Sequence, residues 1–165
     1  MKKLRWGVLG ISGHYRLRVH LPLSGYEGAE LGAIASRDAA RAAAAAEQFG
    51  FKKSYGSYQE LIESDDIDAV YIPLPNHLHF EWIKKAADAG KHVICEKPLC
   101  LASEDVEKAF AYCREKGVFL MEAFMFRFHP QWLRVKEIVD SGELGDVKSI
   151  QCMFSFNNTD PANIR

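Results

Sequence analysis

The chain has 165 residues, of which 48% are hydrophobic and 26% are charged, and its formal net charge is -1 at pH 7. These values are typical of a globular domain with a sizeable core, and they exclude the basic surface of a nucleic-acid-binding domain. No apolar run approaches the roughly 20 residues that span a bilayer, and the apolar stretch near the amino terminus is too short for a signal peptide, so we expect a cytoplasmic protein that binds neither nucleic acid nor membrane.

The first predicted strand, Leu4 to Leu9, runs into a glycine-rich turn that precedes a helical segment and consists of Gly10, Ile11, Ser12 and Gly13. In this context backbone amides bind a pyrophosphate. Counted from Gly10, Ser12 and Tyr15 take the second and third glycine positions of GxGxxG. Tyr15 is too large for the usual close packing of helix on strand. A surface turn without a ligand is therefore the alternative.

The second predicted strand, Glu30 to Ala35, ends at Ser36 and Arg37. In a dinucleotide-binding unit the residue at this position meets the adenosine ribose, where an acidic side chain binds the 2'-hydroxyl and an arginine accommodates a 2'-phosphate. Ser36 and Arg37 therefore favour NADP over NAD, because a guanidinium matches a phosphate in geometry and charge. We expect Asp38 to cap the alanine-rich helix that follows. A merely solvated Arg37 is the alternative.

The next apolar strand, Ala69 to Ile72, follows a short helix with a Ser57 and Glu60 capping box and ends in a rigid turn with two prolines. This turn should flank the same crevice as the glycine turn, because the carboxyl ends of parallel strands share one edge of the sheet. His77 and His79 have the i, i+2 spacing of metal ligands. No acidic or cysteine partner stands at ligand spacing nearby, so we predict no metal and favour a loop histidine near a cofactor or substrate.

The stretch HVICEKPL contains a short buried strand, Val93 to Cys95, that breaks abruptly into Glu96, Lys97 and Pro98. Ligands bind beyond the carboxyl ends of strands in open parallel sheets, so Glu96 and Lys97 are expected to point into the crevice. A surface ion pair is the alternative for an isolated Glu-Lys dipeptide.

Helices alternate with strands through the rest of this region: a helix begins at Ser103, a strand covers Val118 to Glu122, and a last helix covers Gln131 to Asp140. The alternation predicts an α/β fold with a doubly wound parallel (Rossmann) sheet. In the tail, apolar residues alternate with polar ones from Val147 to Phe156, as in the first strand of a second, α+β domain. We therefore expect a dinucleotide-binding domain at 1–124 and the start of a truncated second domain at 125–165.

The four cysteines are Cys95, Cys100, Cys113 and Cys152, and none forms a CxxC pair. Cys95 lies in a strand pattern and Cys113 on the apolar face of a helix, so we predict reduced core thiols.

Six segments together resemble the glucose-fructose oxidoreductase, inositol dehydrogenase and MocA family: Trp6 to Gly10, Ile34 to Asp38, YIPLPNHLH, AGKHVICEKPL, MEAFMFRFHPQW and SGELGDV. The resemblance covers nearly all of the chain. The stretch MEAFMFRFHP is most similar to the branch that contains NADP-dependent xylose dehydrogenases and dimeric dihydrodiol dehydrogenases.

The resemblance implies hydride transfer between NADP, with NAD as the alternative, and a carbon that bears a sugar, polyol or diol hydroxyl. It also implies an open-faced sheet domain that is often used for homo-oligomer contacts. By resemblance, Lys97 is the catalytic lysine that holds and polarises the substrate hydroxyl. The implied cofactor contacts are Gly10, Ile11, Ser12, Gly13, Ser36, Arg37, Leu74, Pro75, Asn76, His79, Glu96, Lys97, Pro98 and Arg127. The family's remaining catalytic groups belong to the second domain, so little activity is expected of the 165 residues alone.

Two other functions compete with this interpretation. A nucleotide-binding module or sensor would hold the dinucleotide without turnover. A lyase would use Lys97 as a Schiff-base nucleophile. The lyase is the weaker alternative. A Schiff-base lysine must react as a neutral amine, only the position of Lys97 favours that form, and the neighbouring Glu96 favours the charged form.

Overall fold

Six strands form one sheet in the computed structural model, which describes residues 3–155, 157 and 159. Their order is β3-β2-β1-β4-β5-β6 and all pairs are parallel. This confirms the predicted doubly wound sheet, in which the strand order reverses beside β1 and opens a crevice at the carboxyl ends. The strands are β1 (Leu4–Leu9), β2 (Ala29–Ala35), β3 (Lys53–Tyr55), β4 (Ala69–Ile72), β5 (His92–Cys95) and β6 (Leu120–Glu122).

Helices connect consecutive strands: α1 (His20–Ser24), α2 (Ala39–Phe49), α3 (Tyr58–Glu63), α4 (His79–Asp88) and α5 (Ser103–Glu115). The predicted caps are present, since Asp38 accepts a hydrogen bond from the Arg41 amide and Ser57 accepts from the amides of Gln59 and Glu60. None of the helices in the described part of the chain has both the length and the apolar character that a bilayer-spanning helix requires.

The two faces of the sheet carry separate cores, because successive strand residues point to opposite sides. On β1, Leu9 belongs to the larger core and Val8 to the smaller one. Tyr15 is completely buried in the smaller core, with its ring edge-on to Phe49 at 5.8 Å between centroids. The large ring that was expected to prevent the usual close packing of helix on strand thus lies inside the core. The backbone is π-helical over Tyr15–Val19, where the wider turn coincides with the inserted ring.

The chain divides into two units, Met1–Phe124 and Met125–Arg165. In the second unit a 3-10 turn (Met125–Phe128) precedes α6 (Pro130–Asp140), and Phe126 packs edge-on against Trp132. The strand predicted from Val147 to Phe156 is wrong over residues 147–155, which form no regular structure, and Phe156 lies outside the described residues. The alternating pattern alone did not produce a strand, because a strand needs a neighbour to pair with and none forms among the described residues of this unit.

Candidate cofactor site

A cavity of about 510 Å³ opens at the carboxyl edge of the sheet, beside the ends of β1, β2 and β4. It combines the glycine turn, the tip of β2 and the proline-rich turn, as the alternation of strands and helices predicts. The predicted cofactor residues that line it are Gly10, Ile11, Ser12, Ser36, Arg37, Leu74 and Pro75, and the remaining lining residues are Asp38, Arg41, Tyr58 and Pro73.

Gly10 brings the backbone of the glycine turn against the cavity wall. Its φ of +92° is a conformation that side-chain-bearing residues rarely adopt. A Cβ at this position would lie 3.2 Å from Cδ2 of Leu74 and 3.3 Å from Oη of Tyr58. The turn is fixed further by the Gly10 amide, which donates to Ala35, and by Ser12 Oγ, which accepts from the Tyr15 amide. Glycine is therefore required where the turn meets the wall.

Two arginines stand at the tip of β2. Ser36 is buried, and its Oγ accepts a hydrogen bond of 3.3 Å from the Asp38 amide. Asp38 in turn accepts a hydrogen bond of 3.0 Å from the Arg41 amide, so α2 begins here and brings Arg41 beside Arg37. Both arginines line the cavity, and no ion pair among the described residues engages either guanidinium. The cavity thus has two cations at one end.

No sequence pattern indicated Tyr58, whose ring stands edge-on to Trp82 at 5.2 Å between centroids. The position of Arg41 could have been predicted from the sequence. It lies three residues after the predicted N-cap Asp38, and therefore in the first turn of α2. The fold brings Tyr58 to the cavity through the packing of α3, which no local pattern records.

His79 lies beneath the proline-rich turn and does not line the cavity. Its imidazole is completely buried, with Nδ1 2.9 Å from the carbonyl oxygen of Pro98 and Nε2 2.8 Å from that of Leu74. Asn76 and His77 are exposed on the 3-10 turn that precedes α4. Both carbonyl oxygens can only accept, so the ring donates from the nitrogen that bears hydrogen, and it lies between the loops after β4 and β5.

The loop after β5 contains a buried carboxylate followed by an exposed ammonium. Glu96 is 9% exposed and accepts a hydrogen bond of 2.7 Å from the Tyr71 hydroxyl, whereas Lys97 and Pro98 are exposed and joined by a cis peptide bond. Burial, and then the bond to Glu96, raises the pKa of Tyr71, which keeps this phenol a neutral donor. The Leu99 amide donates to the Glu122 carboxylate over 2.8 Å.

Several predicted site residues do not line this cavity: Gly13, Asn76, His79, Glu96, Lys97, Pro98 and Arg127. Gly13 is exposed at the start of the helical segment, and Arg127 is exposed on the 3-10 turn of the second unit. Their predicted contacts with a cofactor stay predictions.

Residues 4–124 match a family described as an oxidoreductase family with an NAD-binding Rossmann fold. The chain belongs to this oxidoreductase family. The predicted family resemblance is thereby confirmed, and the match ends where the first structural unit ends.

Relatives within the family include both enzyme types of the predicted branch. D-xylose 1-dehydrogenase (NADP(+)) 2 of Haloferax volcanii is 48% identical over 97% of this chain and 49% of its own length. Trans-1,2-dihydrobenzene-1,2-diol dehydrogenase of Xenopus tropicalis is 37% identical over 74% of this chain and 37% of its own length. A 3-ketoreductase from Actinomadura kijaniata, solved with NADP and TDP-benzene, superposes with a TM-score of 0.80 and 44% identity over 86% of this chain and 43% of the other. The chain thus spans about half the length of its relatives, or less.

Proposed function

We propose that this chain is the cofactor-binding part of an NADP-dependent dehydrogenase that transfers a hydride between NADP(H) and a hydroxyl-bearing carbon of a sugar, polyol or diol. The observation that carries the proposal is the cavity that joins the glycine turn to Arg37 and Arg41. The xylose dehydrogenase, whose name specifies NADP(+), and the 3-ketoreductase, which was solved with NADP, support the same cofactor.

The lining residues suit the two charged parts of NADP. The glycine turn has no Cβ at Gly10, so its backbone can approach a pyrophosphate, and Ser12 is small enough to leave that approach open. Ser36, Arg37 and Arg41 supply a hydroxyl and two guanidiniums for a 2'-phosphate, which carries more charge than one arginine neutralises. NAD lacks that phosphate and would leave both cations without a partner.

Lys97 is our proposed catalytic residue. The nicotinamide supplies the hydride chemistry, and the protein orients the reactants and handles the proton. An ammonium beside the substrate oxygen stabilises the alkoxide that develops during oxidation. Lys97 is exposed beyond β5 and follows a fixed Glu96, a position that supports this role. We propose that Asn76, His79, Glu96 and Pro98 shape the site around it.

The second unit begins the substrate domain in our proposal, with the division between the domains at residues 124 and 125. We propose that a further catalytic group and the homo-oligomer contacts lie in the remaining part of that domain, and the relatives, about twice as long as this chain, leave room for such a part. A reducing, cytoplasmic location is supported by Cys95, Cys100 and Cys113, which are buried free thiols.

The test is a fluorescence titration of the 165-residue chain with NADPH and, in parallel, with NADH. We expect NADPH to bind at least about tenfold more tightly, because only its 2'-phosphate can contact the arginine pair. Equal affinities would contradict the assigned cofactor, and no binding of either nucleotide would contradict the site.

The second candidate is a nucleotide-binding module or sensor without turnover, because the cavity with its glycine turn and two arginines suits a bound nucleotide whether or not a reaction follows. An assay with NADP and an aldose or a diol separates the two. The protein is an enzyme if residues 1–165 bind the nucleotide without turnover and a chain with the complete substrate domain shows turnover. Absence of turnover with the complete domain identifies a sensor.

A further inference from the structure

Glu96 has an unusual environment for a carboxylate. Its side chain is 11% exposed, and the Tyr71 hydroxyl donates to Oε1 over 2.7 Å. The nearest donor to Oε2 is the Lys97 amide, at a long 3.4 Å. A charged carboxylate in such surroundings requires an opposite charge or several donors, because burial removes its hydration.

His14 meets the same carboxylate from the other side. Its Nε2 lies 3.2 Å from Glu96 Oε1, and its side chain is 21% exposed. Nε2 itself is buried, with no aligned hydrogen-bond acceptor, so its interaction with Glu96 is one of charge proximity. His14 is two residues beyond Ser12, at the start of the helical segment that follows the glycine turn, and Glu96 is next to Lys97.

We propose, on the basis of the proposed function, that His14 is a positioning residue of the cofactor site. In its protonated form the imidazole pairs with Glu96 and ties the glycine turn to the loop that carries Lys97. The same charge offsets that of Glu96 behind the turn that receives an anionic pyrophosphate. Loss of this pair weakens cofactor binding through the neighbouring backbone, without removal of any residue that lines the cavity.

The titratable groups around the pair include Tyr71 from β4, Cys95 from β5, Lys97 from the loop after β5, and Tyr15 and His20 from the helical segment itself. Burial raises the pKa of Tyr15 and is the main reason that the pKa of Tyr71 is raised, so both phenols stay neutral below pH 8. Histidine is the side chain that changes charge between about pH 5 and 8. His20 is the alternative source of a pH effect, and it contacts Tyr15 Oη at 3.3 Å and Phe49 at 4.9 Å between ring centroids.

The experiment compares NADPH affinity of the 165-residue chain and its variants at pH 6.0 and pH 8.0. The ratio of dissociation constants, variant over wild type, cancels titration of the 2'-phosphate, which is common to both. For His14→Phe we expect a ratio of about 10 at pH 6.0 and about 2 at pH 8.0, because only the charged imidazole pairs with Glu96. The matched control His20→Phe removes the other histidine of the segment, and its ratio should be the same at both pH values.

A double-mutant cycle with Glu96→Gln assigns the effect to the pair. His14→Phe should lose its pH-dependent part in the Glu96→Gln background. His14→Gln keeps a donor without the charge and should behave like His14→Phe in its pH dependence, so it serves as the test variant if His14→Phe does not fold. Thermal unfolding monitored by circular dichroism checks that each variant is folded.

The outcomes separate this inference from the function on which it rests. If the wild-type chain binds NADPH but the ratio of dissociation constants is the same at both pH values for both His14 variants, the role of His14 is overturned and the proposed function stands. The role of His14 is also overturned if the ratio for His20→Phe changes with pH as much as the ratio for His14→Phe. Failure of the wild-type chain to bind NADPH would overturn the proposed function and the inference with it.

Discussion

The buried imidazole of His79 holds the carbonyl oxygen of Pro98 at 2.9 Å, one residue beyond the exposed Lys97. The other nitrogen of the same ring lies 2.8 Å from the carbonyl oxygen of Leu74, a residue that lines the cavity. Two loops that follow separate strands are therefore fixed by one side chain on α4. The position of Lys97 thus depends on a residue that is completely inaccessible to solvent.

His79→Phe keeps an aromatic ring but removes both polar contacts. We expect the free energy of unfolding to fall by about 1–3 kcal/mol, because a buried carbonyl group loses its hydrogen-bond donor. Urea denaturation measures the change. His77→Phe is the matched control on the exposed turn, with an expected change within about 0.5 kcal/mol. Equal losses for both variants would contradict the anchoring role.

Arg37→Ala should weaken NADPH binding by about tenfold or more and should leave NADH binding within about twofold. The reason is that charged hydrogen bonds to the 2'-phosphate are lost and NADH has no such group. Parallel fluorescence titrations measure both affinities, with the exposed Arg114→Ala on α5 as the control. A similar loss for the two nucleotides would refute the assignment of Arg37.

Lys97→Ala should lower kcat by about a hundredfold or more in a chain that includes the complete substrate domain. NADPH affinity should stay within about twofold, because the ammonium acts on the substrate oxygen. Steady-state kinetics with an aldose and a separate NADPH titration measure the two effects. Lys84→Ala on α4 is the control, and a loss of affinity that matches the loss of kcat would assign Lys97 to cofactor binding instead.

Asp66 predicts a pH-dependent contribution to stability. Hydrogen bonds from Lys53 and then from Tyr55 lower the pKa of Asp66 below its ordinary value of 3.8. Because the pKa of Asp66 is lower in the folded chain than in the unfolded chain, the ionised carboxylate stabilises the fold at any pH above the unfolded-state pKa. This contribution is lost as the pH falls through the lower, folded-state pKa. The difference in stability between wild type and Asp66→Asn should therefore be constant from about pH 5 to 8 and shrink below about pH 4.

Chemical denaturation at several pH values measures that difference. Asp146→Asn is the control, because Asp146 is 86% exposed and its ion pair with Lys148 is screened by solvent. A difference for Asp66→Asn that persists unchanged to pH 3 would contradict the lowered pKa.

The sequence was sufficient for the parts of the site that depend on local pattern. The glycine turn, the tip of β2 at Ser36 and Arg37, and the cap at Asp38 all follow from strand ends and helix starts, and the structure has them there. The positions of these residues depend on residues close to them in the sequence, and such local relationships can be recognised from sequence patterns.

The remaining parts depend on packing between distant segments. Tyr58 reaches the cavity because α3 packs beside β1 and β2, and the contact of His14 with Glu96 joins positions 82 residues apart in the printed sequence. Tyr58 and the His14 contact were missed, whereas in the tail an element was predicted that does not form. The alternating pattern from Val147 predicted a strand where the described residues offer no strand to pair with. Local pattern has no information about such partners.

The positions of the cysteines allow unfolding to be followed by thiol labelling. Cys95 and Cys113 are at most 1% exposed, and burial raises the pKa of both thiols, whereas Cys152 is exposed in the second unit. A maleimide reagent should therefore label Cys152 at once and the buried thiols only when the sheet opens, because thiolate and access are both needed for reaction. Peptide-level mass spectrometry of the labelled chain then gives the opening rate of the nucleotide-binding unit without any added probe group.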